Sequence, residues 1–136
     1  MAEGRMTDTE RAEPGQQPGG LSIVSSTTDG ICVLTLTGEI DHHTGDALRQ
    51  ALDAPETARP RIVVDLGRVT FMDSSGINIF IAAHRATTEA GGWLRLAAPT
   101  APVLRTLQIV GVDAVIDCRE TLHRALDDRP RPRPAN

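Results

Sequence analysis

Between Leu21 and Asp127 the apolar positions switch between the two-residue rhythm of strands and the wider rhythm of helices. LSIVSS and ICVLTLTG are β-branched runs of strand length, and the Thr28-Asp29-Gly30 between them has the chemistry of a tight hairpin. They are expected to pair antiparallel. In GDALRQALDA the residues Ala47, Leu48, Ala51 and Leu52 recur at helical spacing, and Pro55 marks the stop. RIVVDL is a near-continuous apolar run, the pattern of a strand covered on both faces in a parallel sheet.

A second helix is predicted from about Ser75, with Ile77, Phe80, Ile81 and His84 on one stripe and Gly91-Gly92 ending it. WLRLAA reads as a further strand. PVLRTLQIVG places Val103, Leu104, Leu107 and Val110 on one stripe with Gly111 as terminator, and DAVIDC and ETLHRALDD complete a last strand and helix. The order ββαβαβαβα, with helical crossovers between strands, predicts one α/β domain with a mixed, mostly parallel sheet.

Outside that stretch the rhythm is absent. Residues 1–20 carry Gly, Pro, Gln and charge, too little apolar surface to offset the entropy of ordering, and are expected to form a disordered leader. Residues 128–136 alternate Arg and Pro, which favours an extended solvated tail. Residues 21–127 are left as the domain. A chain of 136 residues can bury roughly two thirds of its unfolded surface. With Phe71, Phe80 and Trp93 as its aromatics, its core must be aliphatic.

Charge and cysteine usage narrow the function classes. The net charge of −4 is spread in mixed signs, with no basic stripe to neutralise nucleic-acid phosphates, so nucleic acid is not expected as a direct partner. No apolar run has the length of a bilayer span, and the N-terminal residues lack the apolar stretch of a signal peptide. No membrane is expected, and the location expected is cytoplasmic. Cys32 and Cys118 form no Cys-x-x-Cys pair and are expected to stay reduced.

In open α/β sheets the functional crevice lies beyond the carboxyl ends of the strands. Two segments fall there. Gly38-Glu39-Ile40-Asp41-His42-His43-Thr44 lies between the second strand and the first helix, and Phe71-Met72-Asp73-Ser74-Ser75-Gly76 lies between RIVVDL and the second helix. Asp73, Ser74 and Ser75 suit helix capping, because their oxygens accept bonds from the unpaired N–H groups of a first turn. The same turn suits phosphorylation, since a helix N-terminus stabilises negative charge and Gly76 leaves room for an approaching partner. Asp41 reads equally as a cap and as a docking residue.

Adjacent histidines on a helix do not face one side, so His42 and His43 are not expected to share a metal, and His84 reads as a hydrogen-bonded core or boundary residue. The phosphate-cradling Gly-x-x-x-x-Gly-Lys and Gly-x-Gly-x-x-Gly and the nucleophilic Gly-x-Ser-x-Gly are all absent from the sequence. No nucleophile has an evident base. Neither catalysis nor a cofactor is expected.

GEIDHHTGDALRQAL followed by FMDSSGINIF resembles the STAS domain of anti-sigma factor antagonists, especially the sporulation-type antagonists of Gram-positive bacteria. The resemblance runs from about Leu21 to Asp127. It implies that Ser75, the second serine of Asp-Ser-Ser-Gly, is the phosphoacceptor, that Ser74 is mainly structural, and that Asp41 is the acidic residue near the phosphosite. It implies two partners, an anti-sigma factor Ser/Thr kinase bound by the unphosphorylated protein and a metal-dependent Ser/Thr phosphatase that restores the serine. ATP and metal would belong to those partners. Asn78 stands where the family commonly has glycine, which bears on how closely a kinase packs. A STAS scaffold that assembles with other STAS proteins without a phosphate switch is the alternative, and a small nucleotide-binding hydrolase ranks third.

Overall fold

Asp29 and Gly30 both take positive φ, 51° and 79°, the backbone of a two-residue hairpin turn whose twist matches that of its strands. It joins β1 (Leu21–Thr28) to β2 (Ile31–Ile40) in an unbroken antiparallel register from Leu21 opposite Gly38 to Thr28 opposite Ile31. The computed structural model describes residues 20–55 and 57–127. The expected leader and tail lie outside these, save for Gly20, whose carbonyl accepts a hydrogen bond from the Glu39 N–H at 3.0 Å.

After the hairpin come α1 (Gly45–Asp53), β3 (Arg61–Met72), α2 (Ser74–Glu89), β4 (Trp93–Ala97), α3 (Ala101–Ile109), β5 (Asp117–Arg119) and α4 (Leu122–Ala125). The sheet has five strands in the order β1-β2-β3-β4-β5, and every pair after the hairpin is parallel. This is the mixed, mostly parallel α/β sheet expected. The carboxyl ends of the parallel strands therefore share one rim, where each chain crossover begins.

Side-chain alternation along each strand splits the core in two. On one face, here the front, Leu34, Leu36, Ile62, Val64, Leu66, Leu94 and Leu96 meet Leu48, Ile77, Phe80, Val103 and Leu107 from α1, α2 and α3. On the back, Ile31, Val33, Val63 and Ala97 meet Ala125 of α4, with Trp93, Leu122 and Leu126 packed around them. Both cores are aliphatic apart from Phe80 and the partly covered Trp93.

Several boundaries differ from the sequence reading. RIVVDL is only the first half of β3, which continues through Phe71 and Met72 beside β2. DAVIDC is not one strand: Val112–Ala114 is a turn of 3-10 helix, and only Asp117–Arg119 joins the sheet. Val112 and Ile116 are both buried four residues apart, a helical spacing hidden inside a run that looks strand-like. Val110, placed on the buried stripe of α3, is 55% exposed because the helix ends at Ile109 and Gly111 turns left-handed at φ 80°. Ile79, off the expected stripe of α2, is buried because α1 covers that side, where Gly45 would place a Cβ only 3.0 Å from Ile79 Cδ1. Gly45, a weak helix former, is there for close helix contact.

Candidate functional site

Parallel pairing sets Ile40 and Met72 side by side at the ends of β2 and β3. The next residues of the two chains are thereby tied together, because the Asp73 N–H donates to the Ile40 carbonyl at 3.1 Å. Asp73 is the N-cap of α2: its backbone is extended and its Oδ1 accepts the Ser75 N–H at 2.8 Å. Ser74 is exposed and Ser75 half-buried, and among the described residues neither hydroxyl has a hydrogen-bond partner. The Ser75 hydroxyl is thus free to react while its backbone is fixed.

Gly76 is buried and serves the fold in a way the sequence did not indicate. A Cβ there would come within 2.6 Å of Met72 Cγ and 2.8 Å of Ile40 Cγ2. Its missing side chain therefore points at the core, letting α2 sit close on the strand ends, and clears no space for a partner. Asn78, two residues on, is exposed on α2.

Asp41 resolves in favour of a turn rather than a helix cap. Its Oδ1 accepts the N–H groups of His43 at 2.9 Å and Thr44 at 3.1 Å, while its own N–H donates to Thr44 Oγ1 at 2.9 Å. Thr44 Oγ1 in turn donates to the Glu39 carbonyl at 3.0 Å. Thr44 occupies the N-cap position of α1 without a side-chain cap bond. The result is a closed polar turn that fixes Asp41 at the rim, one residue past Ile40, whose carbonyl accepts the Asp73 N–H. Desolvation pushes the Asp41 carboxyl up, but the N–H groups of Thr44 and His43, the Thr44 hydroxyl and the charge of His43 outweigh it, and its pKa lies below the ordinary value.

His42 and His43 are both exposed in that turn, ahead of α1, and their rings lie against each other with centroids 4.0 Å apart. The expectation that they point apart assumed a helix; in the turn they do not. Among the described residues no group of three His, Cys, Asp or Glu side chains could hold a metal ion. His84 is half-buried, and its Nδ1 is sealed from solvent without a hydrogen-bond partner among the described residues, so the bond expected there is not made at that atom. Among the described residues neither Cys32 nor Cys118 is in a disulfide.

A concavity of about 170 Å³ lies beside Pro99, Leu104 and Cys118, and another of about 260 Å³ lies between α1 and α2. Neither is lined by Asp41, Asp73 or Ser75. Among the described residues no base is hydrogen-bonded to the Ser75 hydroxyl. A family model for the STAS domain matches residues 22–125.

The chain belongs to the STAS domain family. Its STAS sequence is 30% identical over 101 residues to the anti-sigma F factor antagonist of Paenibacillus polymyxa, covering 73% of this chain and 86% of that protein. The crystal structure of an anti-sigma factor antagonist from Mycobacterium paratuberculosis matches with a TM-score of 0.74 at 30% identity, covering 81% of this chain and 94% of that one. The unphosphorylated form of the anti-sigma factor antagonist SpoIIAA matches with a TM-score of 0.63 at 25% identity, covering 78% and 94%.

Within this STAS domain the structure brings Asp41, Thr44, Asp73, Ser74 and Ser75 to one rim, with His42 and His43 at its edge. One rim residue went unassigned in the sequence reading. Phe71 is 47% exposed, and two consecutive exposed positions, Thr70 and Phe71, lie between the buried Val69 and Met72. That irregularity follows from register shifts between β2 and β3, which strict alternation in the sequence does not reveal.

Proposed function

We propose that this STAS domain is a cytoplasmic anti-sigma factor antagonist that binds an anti-sigma factor Ser/Thr kinase while Ser75 is unphosphorylated, thereby releasing a sigma factor. Phosphorylation of Ser75 ends the association, and a metal-dependent phosphatase restores it. The observation that carries this reading is an unpartnered Ser75 hydroxyl in the first turn of α2, on a rim that also holds Asp41 and Asp73. The names of the relatives support it, since they are antagonists of anti-sigma factors. No helix among the described residues is long and apolar enough to cross a membrane.

The switch is one of charge. A helix N-terminus tolerates a phosphate, but here the Ser75 N–H is already committed to Asp73, and a phosphate adds its charge to two carboxylates. In the free protein water screens that charge. In a complex the dianion loses water and has no fixed partner, which is costly. Converting nearly all bound to nearly all free requires about 5.5 kcal/mol of differential affinity. Asp41, His42, His43, Thr44, Asp73 and Ser74 surround the contact in this reading, and Gly76 seats the helix.

Phosphate transfer from ATP by candidate kinases, followed by mass spectrometry, tests the assignment. Phosphate on Ser75 supports it; phosphate on Ser74 alone overturns it. Calorimetry completes the test: Ser75→Ala is expected to bind constitutively and Ser75→Asp to bind weakly with a native circular dichroism spectrum. Equal affinity for both phosphorylation states would replace the switch by the scaffold reading.

A further inference from the structure

We propose that Phe71 is the aromatic anchor by which this domain docks into an apolar socket on its kinase partner, an inference that rests on the function proposed above. Pairing of β3 with β4 stops at Asp65, and from there to Met72 its only strand partner is β2, with the Thr100 hydroxyl donating to the Val69 carbonyl at 2.7 Å. β3 thus projects past its neighbour at the rim where α2 begins. On this projection Val69 and Met72 turn inward and are buried, whereas Phe71 turns out. Of the three aromatics, Phe80 fills the front core and Trp93 lies under the Arg95 guanidinium at 3.8 Å; Phe71 is the most exposed.

Its position separates it from the other exposed apolar side chains. Val24 lies on the edge strand β1, and Ile109, Val110 and Val115 lie at the last residue of α3 and in the chain that follows it, away from the turn that carries Ser75 in sequence and in element. Phe71 instead stands two residues before the cap Asp73, with Glu39 as its register partner on β2. A large apolar side chain at a rim of polar groups is the composition of an interface hot spot, in which the aromatic fills a pocket and the polar surround excludes water. The same composition explains why Ser75 controls the contact: a phosphate on the adjoining turn keeps the rim hydrated and prevents the socket from closing dry over the ring.

The test is titration calorimetry with the kinase that transfers phosphate to Ser75, using the full chain. Phe71→Ala is expected to weaken binding by about thirtyfold or more, Phe71→Tyr to stay within a few-fold of the parent, and the control Val24→Ala to be unchanged. A melting temperature and circular dichroism spectrum for each variant establish that it is folded at the temperature of the titration, since Phe71 is about half covered. If the parent binds and takes phosphate on Ser75 while Phe71→Ala binds within threefold of it, the anchor is refuted and the switch survives. If the parent neither binds nor is phosphorylated, both fall together.

Discussion

The two faces of the sheet are covered by different means. The front carries three helices whose apolar stripes meet a continuous wall of Leu, Ile and Val, so burial of hydrocarbon holds the cover in place. The back carries α4, only Leu122–Ala125, which is too short to bury a comparable stripe. It is held by two arginines instead. Arg95 Nη1 donates to the carbonyls of Ala125 at 3.0 Å and Asp127 at 2.6 Å, and Arg119 Nη1 donates to that of Arg124 at 2.9 Å. Arg119 is also paired with both oxygens of Asp117, each at 2.7 Å. Where a cover is too small to be hydrophobic, charged groups from the strands bind the helix's last carbonyls directly.

Removing one anchor from each face makes the comparison testable. Phe80→Ala is expected to have the largest effect, a loss of about 3–5 kcal/mol, because it opens a cavity in the front core. Hydrogen exchange should then quicken across the whole domain. Arg95→Met keeps much of the buried hydrocarbon but leaves two carbonyls without their donor, and a loss on the order of 3 kcal/mol is expected. Exchange should quicken first in α4 and at the end of the described chain, with α2 unaffected. Unchanged protection of α4 in that variant would show that the arginines are incidental and that Leu122 and Leu126 suffice.

The same contrast explains what was legible in the sequence. The front could be read because period is a local property: Leu48 and Leu52, Ile77 and Phe80, Val103 and Leu107 announce their helices, and Asp29-Gly30 announces the hairpin. The cap of α2 could be read for the same reason, as Asp73 accepts the N–H of Ser75 two residues on, although the hydroxyls of Ser74 and Ser75, expected to accept such bonds too, do not. The back could not. The bond from Arg95 to Asp127 spans 32 residues, and nothing in WLRLAA distinguishes a buried arginine from a surface one. The exposure of Phe71 and the pairing of Asp73 N–H with Ile40 likewise depend on register between strands, which no single segment carries.

At the rim the polar anchors are of the opposite kind: Asp73 caps the N-terminus of α2 and Asp41 closes the turn ahead of α1, carboxylates before helices rather than arginines at a C-terminus. Asp73→Ala removes the acceptor of the Ser75 N–H and is expected to cost about 1 kcal/mol, read from the urea midpoint at constant slope. Asp73→Asn should recover most of it, since the amide oxygen still accepts. If alanine costs nothing measurable, the cap is not holding the first turn of α2, and the immobility of Ser75 must come from Gly76 and the strand ends.

The smallest expected effect separates the two kinds of anchor by pH. Guanidinium groups stay charged throughout the accessible range, and the hydrogen bond to Asp117 raises the Arg119 pKa further. Asp41 does titrate, and its folded pKa lies below the ordinary carboxylate value because the N–H groups of Thr44 and His43 and the Thr44 hydroxyl outweigh the cost of desolvation. A depressed folded pKa means that the unfolded chain binds the proton more readily. The stabilisation by the Asp41 turn is therefore fully present above the unfolded pKa and is lost as pH falls through the folded one. Asp41→Asn preserves the acceptor shape but not the charge, so the variant should melt slightly below the parent at neutral pH and converge with it in acid. Melting curves of the two proteins at neutral pH and in acid well below the ordinary carboxylate range measure this, since the gap closes only as pH falls through the lowered folded pKa. A gap that stays constant between the two conditions would show that the turn is held by shape alone, and that the charge of Asp41 is kept for its partner.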